Sequence, residues 1–398
     1  MPLRSSLSKR VLESEVQNRL LAFQSLRVRK GLSDNPMRTW THFSSWASLT
    51  SSIGLALCAP CAAETLQYRT RVVPKENETL LADCIYQMIV PHAERPIRNV
   101  FVNFERGWQV GNLYFDPDVV RFAARHDMAL LLAVHCRCKE REDMDVVPEH
   151  GIGRALVTAL NQFASQANHP ELASCTLVLF SFSGGWSLVA RMVNYIPERI
   201  AGVVAYAPGQ YDPLGMDTIQ LSERALAVPE LIIANGADDH NGTARPYAFY
   251  ADYRQRGAPF TFVIQNRTPH CCVMNIVPLA LDWLSDVIRF RQPTEDGHGL
   301  QRMDENAAWL GFLDVEDSRI KEHLWRAKVW NVSSAHISAR EQFTPTPGPI
   351  EIHIPRAPDD QEVPASGPLV PCWLPSRQFA ESWLAFERQA KHPTTQLE

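Results

Sequence analysis

Across residues 64–292 the chain alternates short apolar runs with longer stretches in which apolar residues recur every three or four positions. The runs have the length and the Val, Ile and Leu content of strands, and the stretches have the period of amphipathic helices. Strands are predicted at residues 67–74, 85–91, 99–104, 129–135, 175–180, 200–207, 231–234 and 260–265. Helices are predicted at 115–126, through Ala155, Leu156, Leu160 and Phe163, through Leu188, Val189, Met192 and Ile196, and at 244–256 and 276–290. Asp116 ahead of Pro117 marks one helix start, and Gly257 marks a helix end. Strands that alternate with helices imply a mostly parallel sheet wrapped on both faces, and the lack of a helix between the first two strands implies an antiparallel start.

Beyond this region the pattern changes. Residues 291–299, RQPTEDGHG, read as a linker. Residues 300–342 are expected to be helical in part, around Trp309, Trp325 and Trp330, and eight prolines follow from Pro345 to Pro371. One clean alternation at 350–354 predicts an edge strand, and a last helix is expected through Phe379, Trp383 and Phe386. The chain thus divides into a leader at 1–63, an α/β domain at 64–292 and a Pro/Trp-rich extension at 293–398. The five tryptophans of the extension are read as packing it onto the α/β domain in preference to forming a polymer-binding surface.

With 398 residues, 45% of them apolar, the chain can bury a large core. A net charge of -5 argues against a nucleic-acid partner, and no apolar run is long enough to span a bilayer. Within the leader, Met37 and Arg38 open a stretch that turns apolar at 53–57 and ends in small residues before Glu64, as a secretory signal starting at Met37 would. A secreted or periplasmic location follows from that reading, and a cytoplasmic one from reading the leader as an unstructured arm. Nine cysteines show no zinc-site spacing, so no metal is expected, and disulfides are expected only if the chain is exported; the serine chemistry read below calls for no organic cofactor.

The chemistry centres on residues 175–199, CTLVLFSFSGGWSLVARMVNYIPER: an apolar strand, a tight turn and a helix. Ser183 sits at the turn, where Ser181 and Gly185 are small enough to let strand and helix approach. A second small-x-Ser-x-Gly match at 50–54 has no strand before it. A serine nucleophile needs a base and a group that orients the base, and in a wrapped parallel sheet these sit past the carboxyl ends of later strands. The strand at 231–234 runs into Asn235-Gly236-Ala237-Asp238-Asp239-His240, and the strand at 260–265 runs into Asn266-Arg267-Thr268-Pro269-His270. Asp238, Asp239 and, after the preceding strand, Asp212 are all candidate acids.

A serine elbow, a Gly-x-x-Asp loop and a terminal histidine in this order resemble the α/β-hydrolase superfamily over about residues 64–292. The resemblance implies that fold, with Ser183 as nucleophile, His270 as general base and acid, and Asp239 in preference to Asp238 as the orienting acid. It also implies an oxyanion hole from the N–H of Gly184 and a donor in the loop after residues 99–104, for which Phe104 or Glu105 is expected; the His-Gly-Gly-Gly loop of many relatives is replaced here by Asn103-Phe104-Glu105-Arg106-Gly107-Trp108. Trp108, Phe182 and Trp186 are expected to line the substrate pocket. Only about 22 residues separate Pro208 from Leu231, too few for a large helical cap, so an open cleft suited to bulky esters is expected. The expected function is hydrolysis of a small or polymer-derived carboxylic ester through an acyl-enzyme. A serine peptidase or amidase on the same residues, and a non-catalytic binding protein of the same fold, are the alternatives.

Overall fold

Eight strands pair into one sheet: β1 (Leu66–Val72), β2 (Cys84–Val90), β3 (Asn99–Phe104), β4 (Met128–Val134), β5 (Thr176–Phe182), β6 (Ile200–Tyr206), β7 (Glu230–Asn235) and β8 (Phe260–Gln265). Their order is β1-β2-β4-β3-β5-β6-β7-β8. The β1/β2 and β2/β4 pairs are antiparallel and all the others are parallel. These observations come from a computed structural model, which describes residues 65–92, 94–104, 113–134, 136, 147–209, 211, 219–271, 274–293, 300–303, 308–319, 328–339 and 370–389. The strand order and the antiparallel start are those of the α/β-hydrolase fold that the sequence resembles.

The sheet is covered by helices α1 (Pro117–Arg125), α2 (Ile152–Gln166), α3 (Trp186–Tyr195), α4 (Ala244–Gln255) and α5 (Val277–Phe290). The side chain of Asp116 accepts from the N–H groups of Asp118 and Val119, and Pro117 fills the first turn, where no N–H is needed. With helices on both faces, every residue of β3, β5, β6, β7 and β8 is buried, which is why these strands read as continuous apolar runs. A disulfide joins Cys84 at the start of β2 to Cys136, just past β4, and Cys271 is disulfide-bonded as well. Cys175 and Cys372 are free and buried, and burial pushes their thiols up to about 11 and about 12.

The helical expectation is overturned around Trp309 and Trp330, which lie in strands. β9 (Trp309–Arg319) and β10 (Lys328–Ala339) form a long antiparallel hairpin, joined by β11 (Cys372–Leu374) in the order β10-β9-β11. Val315, Val329, Val332, Ile337 and the aromatic residues suit a pleated sheet, while a register shift between Val332 and Ser334 breaks the two-residue period that would have announced β10. The expected last helix is present as α6 (Arg377–Glu387), whose first turn is capped by the Ser376 hydroxyl accepting from the N–H of Phe379. The leader, Trp325 and the strand expected at 350–354 lie outside the described residues.

The extension finishes the free edge of β8. Outward-facing groups of an edge strand need partners once they are buried. Phe262 O accepts from Nε1 of Trp383 at 3.1 Å, and the N–H of Ile264 donates to Glu387 at 3.0 Å. Thr261 Oγ1 donates to Trp373 O, and Trp373 and Trp383 are fully buried. On the neighbouring helix, Tyr250 and Arg254 donate to the carbonyls of Val370 and Pro371. Residues 61–398 accordingly form one compact unit.

Candidate active site

β5 ends at Phe182, a single helical turn covers Ser183–Gly185, and α3 begins at Trp186. The bend puts Ser183 at φ 52°, in the left-handed region that a residue with a Cβ rarely adopts and that costs about 1–3 kcal/mol. Ser181 and Gly185 are buried where strand and helix meet. The Gly209 N–H donates to Ser183 O at 3.1 Å, so the backbone of the turn is tied to the loop after β6. Ser183 itself is half-buried, and the amide of Gly184 follows it at the start of the helical segment.

Ser183 Oγ is 2.9 Å from Nε2 of His270, and Nδ1 of His270 is 2.8 Å from Oδ2 of Asp238. A carboxylate only accepts, so Nδ1 carries the proton and Nε2 is free to accept from the serine hydroxyl. Asp238 is fully buried, and its Oδ1 accepts from the N–H groups of His240 and Asn241, each at 2.8 Å.

The preference for Asp239 is therefore corrected: Asp239 turns away and lies 2.6 Å from Nδ1 of His240. Pairing between the ends of β7 and β8 explains the shift. Gly236 N–H donates to Gln265 O and Ala237 N–H to Thr268 O, each at 2.8 Å, so the turn reverses at Asp238 and aims its side chain between the strand ends. Asp238 thus meets the imidazole through one carboxylate oxygen and holds two backbone amides of its own turn with the other.

Around this line lies a layer of polar residues that the sequence reading did not single out. Asn235 Nδ2 donates to Pro269 O at 2.8 Å, and Gln265 Nε2 donates to Asn235 Oδ1 at 2.8 Å. Each is a polar residue directly after an apolar run, 231–234 and 262–264, which is the signal that would have marked them. Asn241 Nδ2 donates at 2.8 Å to the carbonyl of Ala207, a residue held at φ 44°. The Phe182 ring lies 5.3 Å from the His270 ring and 5.5 Å from Tyr206, and the His240 ring stacks on His270 at 4.8 Å. Burial raises the Tyr206 phenol above its usual range, so it stays protonated beside Asn235.

One pocket assignment changes. Trp186 is fully buried, with its ring 5.2 Å from Phe249 of α4 and 6.3 Å from Tyr211, so it is core. Phe182 is buried, with its ring against that of His270. Phe104, the last residue of β3, is buried, whereas Glu105, Trp108, Asp212 and the match at 50–54 lie outside the described residues. Among the described residues Asp238, Asp239 and His240 place possible metal-ligand atoms within 4.8 Å of one another. Those atoms are already engaged, by His270 and two backbone amides at Asp238 and by the Asp239–His240 pair.

No known family profile and no curated protein matches this sequence. Among solved structures, an S-formylglutathione hydrolase from Agrobacterium tumefaciens aligns at 17% identity and a TM-score of 0.40, over 56% of this chain and 95% of that one. A ferulic acid esterase aligns at 13% identity and 0.38, over 53% and 93%. A dipeptidyl aminopeptidase IV-like protein from Bacteroides ovatus aligns at 11% and 0.41, over 56% of this chain and 36% of that one. Likenesses of this size bear on neither substrate nor activity.

Proposed function

We propose that the protein is a serine hydrolase that cleaves carboxylic esters through an acyl-enzyme. The observation that carries this reading is the unbroken line from the buried Asp238 carboxylate through His270 to the hydroxyl of Ser183 on its strained turn. In this reading Ser183 Oγ attacks the ester carbonyl while His270 Nε2 takes its proton, and the imidazolium then protonates the departing alcohol. Water, deprotonated by the same imidazole, attacks the acyl-serine and frees the acid. Asp238 holds the Nδ1–H tautomer throughout and faces the positive charge that forms on the ring. The N–H of Gly184, with a donor at the end of β3 (Phe104 or Glu105), receives the oxyanion.

The half-buried position of Ser183 and the short link between β6 and β7 support an ester whose acyl or alcohol part is bulky, either free or released from a polymer. The Cys84–Cys136 disulfide supports export to an oxidising compartment. Among the described residues no helix is long and apolar enough to cross a membrane. Rates on matched ester and amide substrates, measured for the native protein and Ser183→Ala, test the function. The proposal requires ester turnover that Ser183→Ala abolishes. A faster amide rate would move the activity to the peptidase alternative, and no turnover of any ester or amide would favour the binding-protein alternative.

A further inference from the structure

The acid and the base of this site stand on two separate loops, after β7 and after β8, and a residue of the C-terminal extension joins them. Asn331, on β10, accepts from the N–H of Arg267 through Oδ1 at 2.7 Å and donates from Nδ2 to Gly236 O at 3.0 Å. Gly236 lies two residues before Asp238, and Arg267 three before His270. One planar carboxamide therefore spans the gap between the loops with both of its polar ends used. The fit leaves no slack: a Cβ on Gly236 would stand 2.2 Å from Oδ1 of Asn331 and 3.0 Å from Arg267 N.

The residues on either side of Asn331 anchor it. β10 is an outer strand of its own sheet, and the main chain of Val332 is paired by a side chain: Asn266 Nδ2 donates to Val332 O at 3.1 Å and Val332 N–H donates to Asn266 Oδ1 at 2.6 Å. Asn266 thus acts as a peptide group at the end of β8. Trp330 packs edge-on against Tyr247 of α4, with ring centroids 4.9 Å apart. Three consecutive residues of β10 hold β8's loop, β7's loop and α4 in one register.

We propose that Asn331 is a positioning residue of the active site, fixing the separation of the Asp238 and His270 loops, and that the C-terminal sheet is thereby part of the catalytic machinery. The proposal rests on the Asp238–His270–Ser183 reading. Misplacement of a reacting group by about 1 Å costs up to roughly a hundredfold in rate, which is the scale of effect that loosening this bridge should approach.

The test compares Asn331→Ala and Asn331→Asp with the native protein in steady-state ester hydrolysis, with circular dichroism melting of each. Aspartate has the volume and shape of asparagine; it can accept from Arg267 but cannot donate to Gly236 O. The expected result is a kcat lower by about tenfold or more in both variants, with KM within about threefold, at a temperature where both remain folded. If Asn331 only fills space, Asn331→Asp keeps native kcat, and that result overturns the proposal. The same holds if Asn331→Ala keeps native kcat. Ser183→Ala is run alongside: turnover that survives in Ser183→Ala means that the triad reading itself has failed, and the proposal falls with it, whereas inactive Ser183→Ala with unimpaired Asn331 variants overturns the positioning role alone.

Discussion

The carboxylate of Asp238 meets Nδ1 of His270 at 2.8 Å with no exposed surface, while the adjacent Asp239 faces His240 at the rim. The two aspartates should therefore respond differently to the same substitution. Asp238→Asn presents an amide that can donate to Nδ1 and stabilise the wrong imidazole tautomer, and kcat should fall by about a thousandfold or more. Asp239→Asn removes a partly exposed pair and should change kcat by less than about fivefold. Ester hydrolysis by the two variants checks this, and equal losses would contradict the assignment of the acid.

Asn241 connects Asp238 to the surroundings of Ser183. Its N–H donates to Asp238 and its side chain to Ala207 O, two residues before the Gly209 N–H that holds Ser183 O. Asn241→Ala should lower kcat by about tenfold through loss of alignment while leaving KM nearly unchanged. Stopped-assay kinetics over a substrate range would separate the two constants.

Glu230 is fully buried at the start of β7, and neither carboxyl oxygen has a hydrogen-bond partner among the described residues. Burial raises its pKa well above the usual 4.5, so the folded state holds a proton that the unfolded chain releases. Its contribution is complete below the unfolded value and is lost as pH rises towards the folded one. Glu230→Gln, which needs no proton, should raise the melting temperature more at pH 8 than at pH 4. Melting curves at the two pH values check the sign.

The Cys84–Cys136 bridge closes a loop across 52 residues and joins β2 to the segment after β4. Replacing both cysteines with alanine should cost about 2–4 kcal/mol of stability by relieving a constraint on the unfolded chain. Urea denaturation without reductant measures it; an unchanged midpoint would mean that the bridge adds nothing to the folded state.

Much of the fold was legible because parallel strands buried on both faces leave continuous apolar runs, as at 200–207 and 231–234, and because Asp116-Pro117 and Gly257 punctuate helices chemically. The turn at Ser183 was legible from Ser181, Ser183 and Gly185 for the same steric reason that produces φ 52° at Ser183. What misled was local spacing. The choice between Asp238 and Asp239 depended on where β7 and β8 stop pairing, a long-range fact that no count from Gly236 contains. Trp186 was expected to line the substrate pocket, yet its ring is turned to Phe249 in the core. In the extension, tryptophan spacing suggested a helix where a bulged hairpin forms, and the role of Asn331 emerges only when β10 is laid beside two loops far from it in sequence.

Covalent labelling of the native protein with a fluorophosphonate, followed by peptide mapping in a mass spectrometer, is the sharpest test of Ser183 as the nucleophile. One phosphonylated residue, Ser183, is expected, with labelling abolished in Ser183→Ala and strongly slowed in Asp238→Asn. Labelling at a different serine, or undiminished labelling of folded Ser183→Ala, would contradict it.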